Sequence, residues 1–249
     1  MPKLDLSRAQ TGRVTAERLF YAQFGQGEDV LLLHGGLGSS DVWAGQVRHL
    51  AGRYRVTVMD TRGHGRSPVV SNRYGFALFA GDVEKVLDHL DTGRTAIVGW
   101  SDGGITGLLL AMSRPERVSR LFAYGANASP GGLIAGGSKK PAFAAYAARC
   151  REEYLTLSPE PKRWPDLVAG LGAMWRREPN VSTAQLATIR VPTTIAFADR
   201  DEIIRPDHAR YLADTIPGAR SVALKDVSHL AMLQDPARFN AALDAFLAG

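Results

Sequence analysis

The chain has 249 residues, enough for one large domain with a sizeable core, and its 45% hydrophobic and 22% charged content is ordinary for a globular protein without a membrane span. The net charge of +5 comes from scattered Lys and Arg without interleaved aromatic residues, which argues against a nucleic-acid surface. One cysteine excludes an internal disulfide, and the first residues show acids but no apolar signal-peptide core, so we expect a cytoplasmic protein.

Apolar runs of strand length alternate with amphipathic runs of helical length, which predicts a mostly parallel sheet with crossover helices. The predicted strands, which open with a hairpin, are 13–17, 19–24, 30–33, 55–59, 95–98, 118–124, 192–198 and 221–224. The predicted helices are 40–50, 76–90, 105–113, 143–157, 167–176, 208–215 and 236–247.

The alternation stops between residues 127 and 188, where glycine-rich stretches precede two helical patterns. A long insertion between regular strand–helix units is usually functional. We therefore predict a core of residues 1–126 and 189–249, with residues 127–188 forming a helical lid over the strand ends. The alternative is a small separate domain that is unrelated to any site.

The sequence Gly99-Trp-Ser-Asp-Gly103 connects the predicted strand 95–98 to the predicted helix 105–113. A G-x-S-x-G turn in this place exposes its serine hydroxyl at the positive end of a helix. The pattern also arises by chance in a chain with 26 glycines. Serine is a poor nucleophile without a base and an oxyanion hole. If Ser101 is the nucleophile, we therefore expect other parts of the chain to supply a base and an oxyanion hole.

An acid and a histidine follow the last two predicted strands, and reactive groups in open α/β sheets lie beyond such strand ends. We favour Asp201 as the acid, because the apolar residues after it can turn its carboxylate inward; alternatively, Asp199 takes this role. Of six histidines, His229 lies on a loop after a strand and downstream of the acid. The chain order Ser101, Asp201, His229 is typical of one class of hydrolase.

An oxyanion hole requires two backbone N–H groups aimed at one point. We predict that Asp102, the residue after the candidate nucleophile, supplies one of them. The other is expected from the glycine-rich loop after strand 30–33, where we favour Gly36 over Leu37. Glycine allows close backbone approach to a substrate. The loop lacks the lysine and the spacing of a phosphate-binding loop.

These motifs resemble, in this order and along nearly the whole chain, the α/β-hydrolase-fold serine hydrolases. The resemblance includes His34-Gly-Gly36 and Asp60-Thr-Arg-Gly-His-Gly-Arg-Ser67, where Arg62 and His64 are expected to hold the loop. The stretch from Gly99 to Thr106, together with Tyr124-Gly-Ala-Asn127, also resembles the valacyclovir hydrolase (biphenyl hydrolase-like) group.

The resemblance implies an α/β-hydrolase fold: a mostly parallel central sheet with flanking helices and a helical lid. It also implies cleavage of carboxylic esters through an acyl-enzyme by the triad Ser101, Asp201 and His229. No cofactor is implied, and the sequence shows no metal-ligand cluster. A small-molecule ester is the expected partner, with no nucleic acid and no membrane, and the oligomeric state is left open.

In the valacyclovir hydrolase group, the acid beside the nucleophile recognises a substrate amine. The resemblance therefore implies α-aminoacyl esters as substrates and a substrate-binding role for Asp102, with Trp100 beside it. Alternatively, Asp102 is an acid favoured by a helix N-terminus. Carbon–carbon bond hydrolases, lactonases, acyltransferases and some small-molecule receptors share this fold and remain alternative functions.

Overall fold

Within the described residues of the computed structural model, which are 3–69, 71 and 73–249, eight strands form one sheet. The strands are β1 (Gln10–Val14), β2 (Leu19–Phe24), β3 (Glu28–Leu33), β4 (Tyr54–Met59), β5 (Thr95–Trp100), β6 (Val118–Tyr124), β7 (Thr193–Ala198) and β8 (Arg220–Leu224). Their spatial order is β1-β2-β4-β3-β5-β6-β7-β8. β2 pairs antiparallel with β1 and β4, and all other pairs are parallel, so β3 to β8 end at the same edge.

Helices pack against this sheet, because its central strands need apolar cover on both faces. Every residue of β5 and of β7 is buried. The helices are α1 (Ala44–Leu50), α2 (Phe76–His89), α3 (Asp102–Ser113), α4 (Pro141–Leu157), α5 (Trp164–Trp175), α6 (Thr183–Leu186), α7 (Pro206–Thr215), α8 (Ala231–Gln234) and α9 (Pro236–Ala248). In the described ranges, none of them has the length and apolar character that crossing a bilayer requires.

The fold class predicted from the sequence is confirmed, and several local predictions need correction. The first strand ends at Val14 rather than residue 17, because Thr15 and Arg18 adopt positive φ angles of 65° and 53° and turn the chain. Helix α3 begins at Asp102 rather than residue 105, despite the low helix propensity of the two glycines in its first turn. Helices α6 and α8 were not predicted; a capping box formed by Ser182 and Gln185 starts α6.

The segment between β6 and β7, residues 127–188, is called the insertion below. Its helices are tied to the core by carboxylates that accept backbone N–H groups. Glu160 accepts the Val69 N–H at 2.7 Å. Glu178 accepts the Phe76 N–H at 2.9 Å and so satisfies a donor at the start of α2. These bonds tie the insertion to the segment between β4 and α2 and to the start of α2.

Candidate active site

Ser101 lies between β5 and α3 in a backbone conformation that non-glycine residues rarely adopt, with φ 53° and ψ −117°. Such conformations persist only where the surrounding structure enforces them, and they cluster at active sites. Here glycines on both sides of the serine allow very close backbone packing. A methyl group placed on Gly99 would lie 2.2 Å from the Gly103 carbonyl oxygen, and one on Gly103 would lie 2.2 Å from the Leu33 oxygen.

Replacing Gly103 with alanine should therefore lower the free energy of unfolding by about 1–3 kcal/mol, because the added methyl group must displace the backbone of β3. Gly81→Ala is the matched control in α2, since nothing lies within 4 Å of a methyl group there. The control should gain up to about 1 kcal/mol from helix propensity. Urea unfolding of both variants measures the difference, and equal effects would contradict the close packing described for Gly103.

The structure pairs His229 with Asp201, while Asp199 is exposed. His229 Nδ1 lies 2.9 Å from Asp201 Oδ2, and both side chains are buried. The other carboxylate oxygen, Oδ1, accepts the N–H groups of Ile203 and Ile204, both at 2.8 Å. Because a carboxylate can only accept, Nδ1 carries the imidazole proton and Nε2 carries the lone pair.

The imidazole of His229 is held by aromatic neighbours on several elements. Its ring centroid lies 5.6 Å from that of Trp100, the residue before Ser101, and 6.4 Å from that of Phe143. A methyl group placed on Gly125 would approach His229 Cε1 to 2.8 Å. Among the described residues, none forms a hydrogen bond with the buried His229 Nε2. That atom is therefore available to accept a proton.

The loop after β3 orients the peptide unit between Gly35 and Gly36. His34 Nε2 accepts the Thr61 N–H at 3.0 Å, so the proton lies on Nδ1, which donates to the Gly35 carbonyl at 2.7 Å. Burial lowers the pKa of His34, in keeping with this neutral form. The Gly36 N–H belongs to the same planar trans peptide and points away from that carbonyl. This is the N–H group that the sequence predicts for the oxyanion hole.

Asp102 is the first residue of α3, so its N–H has no acceptor within the helix. The residue is 8% exposed, and both oxygens of its carboxyl group accept Trp175 Nε1–H at 3.0 Å. Burial raises the pKa of Asp102 to about 7, although the Trp175 hydrogen bond and the nearby His229 lower it in part. The sequence analysis missed Trp175, since no local pattern links residues that are 73 positions apart.

A cavity of about 270 Å³ opens above Ser101 and is lined by Gly36, Trp100 and Asp102 as well. Its walls are mostly apolar and come from both the core and the insertion: Phe76, Ile105, Leu133, Ile134, Phe143, Ile203 and Ile204. Trp175, Pro179 and a few polar residues, Asn127, Ser138, Arg176 and Glu178, complete the lining. Such a cavity suits a small, largely apolar molecule that carries few polar groups.

The loop that contains Arg62 and His64 has a structural role, as expected. Arg62 donates to both carboxylate oxygens of the buried Asp82 at 2.5 Å. His64 Nδ1 lies 3.0 Å from the Arg62 carbonyl oxygen, and burial lowers the pKa of His64 to about 3, so it stays neutral. In the described part of the chain, no three His, Cys, Asp or Glu side chains are grouped as metal ligands would be.

Comparison with known proteins places this site in a family. Residues 30–139 match the family model described as alpha/beta hydrolase fold. The putative carbamate hydrolase RutD of Variovorax paradoxus is 32% identical over 89% of this chain and 92% of its own. The chain belongs to the α/β-hydrolase-fold family.

Two further matches agree with the predictions from the sequence. The serine hydrolase BPHL of Mus musculus is 28% identical over 94% of this chain and 84% of its own, which confirms the resemblance to the biphenyl hydrolase-like group. The crystal structure of the enol-lactonase from Burkholderia xenovorans LB400 has a TM-score of 0.77 and 25% identity, covering 96% of this chain and 100% of that one.

Proposed function

We propose that this protein is a serine hydrolase that cleaves carboxylic esters through an acyl-enzyme on Ser101. One observation carries the proposal: Ser101 lies on a strained turn at the cavity, and the Asp201–His229 pair follows the ends of two other strands. Family membership supports hydrolysis as the reaction class. The cytoplasmic location remains a prediction from composition.

In the first half of the proposed reaction, Ser101 Oγ attacks the ester carbonyl carbon and its proton passes to His229 Nε2. Asp201 holds the imidazole in the required tautomer and stabilises the imidazolium that forms. The N–H groups of Gly36 and Asp102 stabilise the negative charge on the carbonyl oxygen. When the intermediate collapses, the carbon–oxygen bond to the alcohol breaks and His229 returns the proton to the alcohol.

In the second half, water attacks the acyl group on Ser101, and His229 accepts a proton from that water. The bond to Ser101 breaks, the acid leaves, and the serine regains its proton. The insertion acts as a lid in this proposal, because its side chains form much of the cavity wall above the serine.

Esters of α-amino acids are the substrate class that we propose. Asp102 lines the cavity together with Ser101, which it directly follows in the chain. Its pKa near 7 leaves about half of the groups ionised at neutral pH, and a substrate ammonium group would favour the ionised form. The alternative role, an acid that only favours the start of α3, requires no partner in the cavity.

A panel of aminoacyl, short-acyl and lactone esters tests the proposed function. Lactones belong in the panel because the structural match to an enol-lactonase favours them as a second substrate class. We expect repeated turnover with at least one ester class. Release of one equivalent of alcohol without further turnover would instead identify a receptor, and no reaction with any ester would overturn the proposal.

A further inference from the structure

The carboxyl group of Asp102 depends on one neighbour for its hydrogen bonds. Trp175 Nε1–H is shared between Oδ1 and Oδ2 at 3.0 Å each, and no other described residue donates to these oxygens. Trp175 ends helix α5 and therefore belongs to the insertion, whereas Asp102 belongs to the core. The insertion thus holds in place the carboxyl group of the residue that directly follows the candidate nucleophile in the chain.

The same two side chains press against Gly36, the other predicted oxyanion-hole residue. A methyl group placed on Gly36 would lie 2.4 Å from Trp175 Cζ2 and 2.8 Å from Asp102 Oδ2. The carboxyl group therefore lies next to Gly36, whose N–H group is one of the two expected to hold a developing oxyanion. Since Asp102 is buried, little water surrounds its carboxyl group.

This placement has an electrostatic consequence. A carboxylate within several ångströms of a developing oxyanion opposes it by about 10- to 100-fold in rate at the effective dielectric constants of protein sites. A cationic group on the substrate reverses the effect, because it neutralises the carboxylate and attracts the oxyanion. A neutral ester has no cationic group that could offset the repulsion between the carboxylate and the oxyanion.

We infer that Trp175 is a positioning residue that holds the Asp102 carboxylate against the oxyanion loop, where its charge selects cationic esters and penalises neutral ones. This inference rests on the proposed ester hydrolysis. Beyond the amine recognition proposed above, it states that the carboxylate slows the reaction of neutral esters. The carboxylate then excludes neutral esters as well as attracting cationic ones.

The inference predicts a dependence on pH for neutral esters. Burial raises the pKa of Asp102 to about 7, so the carboxyl group is mostly neutral below this pH and charged above it. The penalty on neutral esters should therefore appear as the pH rises through 7.

Several other charged or titratable groups face this carboxyl group or line the cavities beside it. They are Tyr146, Arg176 and Glu178 from the insertion, His229 after β8, and His34 and His64 behind the oxyanion loop.

The experiment compares kcat/KM for two benzyl esters of equal shape, those of leucine and of 4-methylpentanoic acid, which lacks the amine. The variants are Asp102→Asn and Trp175→Phe, the latter removing the N–H and keeping an apolar ring. Trp164→Phe is the matched control, because Trp164 lies on the same helix but packs against Tyr154.

Asp102→Asn should raise kcat/KM for the neutral ester about tenfold at pH 9 and change it little at pH 6. At pH 7 it should lower kcat/KM for the leucine ester by about 10- to 150-fold. Taking the ratio of variant to wild type at each pH removes any pH dependence that the two proteins share.

Trp175→Phe should move the pH at which the neutral ester loses activity upward, because the charged carboxyl group has lost its donor. It should also reduce the preference for the leucine ester at pH 7, and have no further effect on this preference in the Asp102→Asn background. Trp164→Phe should change neither the pH at which the neutral ester loses activity nor the preference for the leucine ester.

If Trp175 has a purely structural role, Trp175→Phe should lower kcat/KM for both esters by the same factor at every pH. That result, or a neutral-ester profile unchanged by Asp102→Asn, would overturn the inference while leaving ester hydrolysis intact. If the wild-type protein hydrolyses neither these esters nor any in the wider panel, the proposed function itself fails and the inference fails with it.

Discussion

Ser101→Ala should lower kcat for ester hydrolysis by about 10⁴- to 10⁶-fold, because the variant has no oxygen that can attack the carbonyl carbon. The remaining activity would come from the cavity and the backbone N–H groups alone. The melting temperature should not fall, since a smaller side chain at a strained position removes no packing that the core needs. Steady-state kinetics with an ester from the panel and thermal unfolding measure the two quantities.

Ser113→Ala is the matched control for this variant. Ser113 ends the helix that Ser101 precedes, and it is exposed. We expect wild-type kinetics from it. Retention of more than about one hundredth of the activity by Ser101→Ala would contradict the nucleophile assignment, because loss of a nucleophile costs far more than this.

Asp201→Asn should lower kcat by about 10⁴-fold. The side-chain oxygen of the asparagine would keep the hydrogen bonds from Ile203 and Ile204, which turns the amide N–H₂ toward His229 Nδ1. A donor in that place forces the imidazole proton onto Nε2. His229 could then no longer accept the proton of Ser101.

Asp199→Asn is the control that separates the two candidate acids. Asp199 is exposed, so its variant should retain nearly full activity. Measured side by side on the same ester, a larger loss from Asp199→Asn than from Asp201→Asn would assign the acid to Asp199 and contradict the pairing with His229.

The central part of the sheet was predictable because strands β3 to β7 are largely buried and bounded by polar or glycine-rich stretches. β6 has its predicted bounds, Val118–Tyr124, since each end coincides with a change in residue character. The end of β1 was not predictable, because neither Thr15 nor Arg18 signals a positive φ angle in the way that glycine does.

Much of the candidate site followed from chain order. Ser101, Asp201 and His229 each follow a strand, and parallel strands bring such residues to one edge of the sheet. The choice of Asp201 over Asp199 rested on Ile203 and Ile204, whose N–H groups do bind its carboxylate.

The environment of Asp102 could not be predicted in this way. Trp175 reaches it from an insertion whose path across the core depends on tertiary contacts such as those of Glu160 and Glu178. The raised pKa of Asp102 follows from this burial and has no counterpart in the local sequence, where an acid after Ser101 reads equally well as a residue at a helix start.

Covalent trapping tests the central claim most directly. A fluorophosphonate transfers its phosphorus to an activated serine oxygen with loss of fluoride, and the adduct is stable enough for peptide mass spectrometry. We predict one adduct per chain, on Ser101, that forms at the same rate as ester hydrolysis is lost and does not form in Ser101→Ala. An adduct on any other residue, or full ester turnover after Ser101 has been labelled, would contradict the account.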